Sequence, residues 1–80
     1  MKTTKYFEFR RTLPDREAIL DEWIEEILKN PSRKNVQDDG RIRLWGKVAQ
    51  AGDKYLRVVV LEDGQTVHNA FFDRSYKEQH

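Results

Sequence analysis

Apolar and polar residues are distributed along this chain with two different periods. Residues 5–10 alternate, with Phe7 and Phe9 to one side and Tyr6, Glu8 and Arg10 to the other. Period two is the pattern of a half-buried strand. Further on, Ala18, Ile19, Leu20, Trp23, Ile24, Ile27 and Leu28 recur at spacings of three and four, and Asp21, Glu22, Glu25 and Glu26 fall opposite. That spacing predicts one amphipathic helix with a broad apolar stripe and a solvated acidic face. Its start is expected around Thr12-Leu13-Pro14-Asp15, with Thr12 or Leu13 as the cap residue. Proline has no N–H to leave unpaired in a first turn, and Asp15 and Glu17 suit the positive end of the helix dipole. Asn30-Pro31 ends it.

Period two returns in the second half. Residues 41–48, 54–61 and 66–74 read as strands, separated by turns at Ala51-Gly52-Asp53 and Asp63-Gly64; Asp39-Gly40 is a tight turn before the first. Residues 35–37 are an extra short strand candidate. The expected fold is α+β: one amphipathic helix on an antiparallel sheet of 3–5 strands, in the order β-α-β-β-β.

Turn chemistry carries the reading to register. A two-residue Asp63-Gly64 turn sets Val60 opposite Val67, Val58 opposite Asn69 and Arg57 opposite Ala70. In the preceding hairpin, Leu44 opposite Val58 keeps the apolar sets together, whereas a one-residue slip would put one set in water. One face then carries Ile42, Leu44, Val48, Leu56, Val58, Val60, Val67 and Phe71. The other carries Arg41, Arg43, Trp45, Lys47, Tyr55, Arg57, Val59, His68, Ala70, Phe72 and Arg74. The first suits the helix; the second is cationic and aromatic.

Composition changes this picture little. Eighty residues make a single domain, with an ordered core expected over about 5–77. Such a chain buries only about 60–65% of its unfolded surface, so the core is thin. Fifteen Lys+Arg against 14 Asp+Glu gives a net charge of +1, so any polyanion site must come from segregated charge. No cysteine is present for a disulfide or a thiolate metal site. The chain offers no spanning apolar run and no signal-peptide core, so a cytoplasmic location without a membrane is the expectation.

The second face supplies the candidate chemistry. Guanidinium groups pair two-pronged with phosphate, and aromatic rings are platforms for unpaired bases. Arg41, Trp45, Lys47, Tyr55, Phe72 and Lys77 are the candidate binding residues for nucleic acid or a partner. The alternative is that long basic stems simply cover a solvent-facing sheet. On the expected register Arg43, Val59 and His68 form a row. A metal-independent ribonuclease needs a base, an acid and cations at phosphorus, for which His68, Arg43, Arg57, Arg74 and Tyr76 are candidates. A lone histidine within a strand is more often a hydrogen-bonded structural residue. His80 is terminal. No phosphate-binding glycine loop, nucleophile motif or convincing metal site is present, and no cofactor is expected.

Several segments resemble a family of small bacterial proteins that are similar to the BrnT and RelE/ParE-like toxins. They are Leu28-Lys29-Asn30-Pro31, Asp38-Asp39-Gly40-Arg41-Ile42-Arg43, Tyr55-Leu56-Arg57-Val58-Val59-Val60 and Thr66-Val67-His68-Asn69-Ala70-Phe71-Phe72-Asp73-Arg74. The resemblance implies a small sheet with helical cover and mRNA cleavage held in check by a protein antitoxin, with RNA or the ribosome as the other partner. It matches Arg57, Arg74 and Tyr76 to the family's basic and tyrosine site residues. The chain departs from it in having one expected helix where those toxins have a helical hairpin, and in lacking their strong basic charge. The other reading is a non-catalytic interaction module that binds a partner or a second copy as a homodimer, with Trp45, Tyr55 and Phe72 as anchors.

Overall fold

The computed structural model describes residues 1–14, 16 and 18–77. It is an α+β domain of two helices and a four-stranded antiparallel sheet. The elements run α1 (Lys5–Arg10), α2 (Asp21–Lys29), β1 (Arg33–Val36), β2 (Ile42–Val48), a 3-10 turn (Ala49–Ala51), β3 (Lys54–Val60) and β4 (Val67–Phe72). The strands lie in the spatial order β1-β2-β3-β4, a plain meander.

The first element corrects the sequence expectation, because residues 5–10 are helical. Thr4 caps α1, its hydroxyl accepting from the Phe7 N–H at 3.1 Å. Helical spacing also lets Arg11 lie over the Phe7 ring at 4.9 Å and Arg10 over Tyr6 at 5.8 Å. Of the alternating phenylalanines only Phe7 is buried, while Phe9 is 64% exposed. Local capping outweighs a short alternation that does not coincide with burial.

The second helix is shorter than its apolar stripe. The described residues from 11 to 20 form successive turns, with Arg16 N–H donating to Leu13 O and Ile19 N–H to Arg16 O. Neither Thr12 nor Leu13 caps the helix; Leu20 does, without a side-chain bond. Asp15 and Glu17, expected at the helix start, lie outside the described residues, as does His80. The stripe nonetheless works as expected from Trp23 on, with Ile24 and Ile27 buried against the sheet and Glu22, Glu25 and Glu26 exposed. Gly46 of β2 sits directly under α2, where an added Cβ would lie 2.6 Å from Ile27 Cγ1.

In β2 and β3 the expected register holds, with Leu44 opposite Val58 and Arg43 opposite Val59. Leu44, Val48, Leu56, Val58 and Val60 form the core with Phe7, Ile19, Ile24 and Ile27. The last hairpin differs. Val60 does pair with Val67, but a bulge at His68 follows, so that Val59 pairs with Asn69, Val58 with Ala70 and Arg57 with Phe71. The extra residue reverses parity along the rest of β4. Ala70 and Phe72 therefore turn inward and Phe71 outward, the opposite of the expectation. A regular strand could not place Val67, Ala70 and Phe72 all on the core side, and the bulge allows it. The loop is also wider than two residues, closing between Leu61 and Thr66 at 3.0 Å. Asp63 organises it by accepting from the Thr66 hydroxyl at 2.5 Å and from the Thr66 and Gln65 N–H groups at 2.9 Å each. Those bonds hold its carboxyl down to about 2. The outer edge of β4 is met by the N-terminal segment, through a parallel bridge between Thr3 and Val67. No helix among the described residues is long and apolar enough to cross a membrane.

Candidate polyanion-binding face

α2 covers one side of the sheet, and the side chains of the other are ordered in rows. Cross-strand neighbours point to the same side. Arg33, Trp45, Arg57 and Phe71 are successive partners across all four strands. Beside them run Asn35, Arg43, Val59 and Asn69, and then Lys47 with Tyr55. The Arg57 guanidinium lies over both flanking rings, 5.6 Å from Trp45 and 5.2 Å from Phe71. Arg16 reaches round the β4 edge to lie 5.1 Å over Phe71 and donate to Asn69 Oδ1 at 2.8 Å. The result is a ribbon of alternating cations and rings.

Residues 73–77 fold back onto this ribbon. Tyr76 stacks on Trp45 with centroids 5.1 Å apart, and Trp45 is left only 7% exposed. Asp73 accepts from Trp45 Nε1 at 3.0 Å and lies 3.5 Å from Arg57, and it also accepts from Ser75. Burial alone would push the Asp73 carboxyl up; the bonds from Ser75 and Trp45 and the charge of Arg57 outweigh it and hold it below the usual range. Arg43 is held from the β1–β2 loop by the Gln37 side-chain oxygen at 2.6 and 3.0 Å, in the amide orientation that satisfies both groups.

The candidate residues divide accordingly. Arg43, Trp45, Lys47, Tyr55 and Arg57 share the open face as expected. Arg74 and Lys77 are exposed on the C-terminal segment, and Tyr76 packs on the ribbon between Trp45 and Tyr55. Arg41 is exposed at the end of the sheet beside Asp39, 3.8 Å away. Phe72 does not join the face; it turns towards α2, edge-on to Trp23 at 6.3 Å. His68 does not join the Arg43–Val59 row, whose place is taken by Asn69. It sits at the bulge, Nδ1 3.1 Å from the Thr4 hydroxyl and its ring stacked on Tyr6 at 4.7 Å. Burial, and then the charge of Arg41, lower its pKa and favour neutral imidazole.

Four contributors were missed from sequence. Arg33 lies in a strand that begins two residues before the expected one, and Arg16 in a segment read as helix. Phe71 is exchanged with Phe72 by the bulge. Asp73 had a legible signal, since Asp-Arg-Ser is an Asx-type turn sequence that ends a strand. The face as built can hold anions and stack rings. Its central row of Arg33, Trp45, Arg57 and Phe71 contains no histidine or carboxylate, and no cluster of three metal-ligating side chains occurs among the described residues.

Comparison of the chain with protein-family models, curated proteins and solved structures gives no match.

Proposed function

We propose that the open sheet face is an RNA-contacting surface that holds the phosphate backbone of an unpaired strand. The observation that carries this reading is the row of Arg33, Trp45, Arg57 and Phe71, flanked by Arg43 and Lys47 on the face opposite α2, where Tyr76 covers Trp45 and Arg33 and Lys47 are exposed. Basic side chains along a face track a phosphate backbone, and the adjacent tyrosines offer π-faces. On the RelE/ParE-like resemblance its partners would be RNA or the ribosome and a protein antitoxin. Contact rather than cleavage is the core of the proposal, because His68 is engaged by Thr4 and Tyr6 away from the arginine row. The partner-binding and homodimer reading has Trp45, Tyr55 and Phe72 as its anchors, and of these Trp45 is buried under Tyr76 and Phe72 packs edge-on to Trp23 of α2.

The test is fluorescence anisotropy of a labelled ten-nucleotide uridine RNA across a salt series. Binding should weaken steeply with salt, and Arg33→Ala and Lys47→Ala should each lower the log–log slope by about 0.7. Binding that ignores salt, or that neither substitution changes, would overturn the proposal.

A further inference from the structure

Beside the ribbon, the start of β3, the end of β4 and the C-terminal segment enclose a groove of about 370 Å³. Tyr55, Phe72 and Tyr76 supply its apolar surface, and Asp53, Lys54 and Arg74 its polar rim. That volume lies at the small end of the range for ligand sites. Tyr55 and Tyr76 are 4.8 Å apart and tilted by 55°, so the two rings are not stacked face to face. Tyr76 is backed by Trp45, whose indole Asp73 fixes through its Nε1–H.

Charge decides what kind of ring the groove suits. The Lys54 ammonium lies 5.9 Å over Phe72 and that of Lys47 5.8 Å over Tyr55, so the aromatic faces already carry cations of the chain itself. Asp73 also lines the groove, but its charge is met by Arg57. With Asp73 so paired, the lining bases Lys54 and Arg74 stand against Asp53, and Lys47, outside the lining but over Tyr55, adds a further positive charge, so an anion is favoured over a cation.

We propose that this groove holds a single unpaired nucleotide, with its base against Tyr55 and Tyr76 and its phosphate between Lys54 and Arg74. This rests on the RNA-contact reading and adds to it a defined site for one base.

Amide NMR of the full chain titrated with uridine 5′-monophosphate, and separately with ribose 5-phosphate, tests it. The nucleotide should give saturable shifts at Tyr55, Phe72 and Tyr76, and the base-free sugar phosphate should not. Tyr76→Leu should weaken the nucleotide by about ten-fold. Lys54 is exposed, so Lys54→Gln leaves the fold intact and should weaken it several-fold. Equal shifts from ribose 5-phosphate, no saturable shifts, or unchanged affinity in both variants would overturn the site. The ten-nucleotide RNA separates the two readings. Salt-dependent binding that leaves these three amides unmoved removes the groove and keeps the face. Saturation by the mononucleotide without RNA binding keeps the groove and removes the face.

Discussion

His68 has the residue type of a catalyst and the surroundings of a support. Its ring is sandwiched into the contact between α1 and β4 by Tyr6 and Thr4, and burial and Arg41 disfavour the imidazolium. The sign of the pH effect follows. With the folded pKa below the ordinary value near 6.5, the unfolded chain binds more protons as pH falls through that value. His68 therefore costs nothing well above pH 6.5 and progressively destabilises the fold below it, until the folded imidazole also titrates. Urea unfolding between about pH 7 and pH 5 should show the native protein losing stability relative to His68→Gln. A gap that stays constant across that window would remove this account. The residue could not be placed from sequence, because its side depends on a bulge that no turn signal announces. Arg57 and Trp45 could be, because two regular strands of alternating residues fix their parity.

At the scale of elements, periodicity succeeded where it was long and misled where it was short. The alternation in β2 and β3 runs over seven residues in each strand, and its apolar members Leu44, Val48, Leu56, Val58 and Val60 are all buried, although Trp45 and Val59 on the other face are buried too. In residues 5–10 it covers only two phenylalanines, and a threonine cap with one-turn side-chain contacts makes a helix instead. The apolar stripe of α2 was legible, but its start was not, since Ala18 is an exposed turn residue and Ile19 reaches the core from ahead of the helix. The close approach of α2 to β2 depends on Gly46, and that too was invisible, because only the helix placement gives the glycine its purpose. Gly46→Ala should destabilise the domain by about 1–3 kcal/mol, as Ile27 is 3% exposed and has no room to yield. A chemical-denaturation midpoint equal to that of the native chain would show that the contact is looser than its distance implies.

Across the whole molecule, charge is segregated although the total is near zero. Exposed Glu22, Glu25 and Glu26 lie on α2, and Arg33, Arg43, Lys47 and Arg57 on the far side of the sheet. Such a charge distribution orients an approaching polyanion before contact. Asp73 crosses this division and fastens the C-terminal segment to the basic side. Asp73→Ala should leave the Trp45 indole N–H and Arg57 without their acceptor and cost about 1–3 kcal/mol, with Trp fluorescence shifting as Tyr76 lifts away. Unchanged stability and emission would mean that stacking alone holds the segment.

The strand order has a consequence for how the domain assembles. Each ladder joins strands adjacent in the chain, so β1 to β4 can zip together by closing short loops at little entropic cost. The bridge of Thr3 to Val67 spans nearly the whole sequence and has nothing to dock against until β4 is in place. Folding thus has a built-in direction: the meander of β1 to β4 forms the template, and the segment ahead of α1 is the last to find its seat.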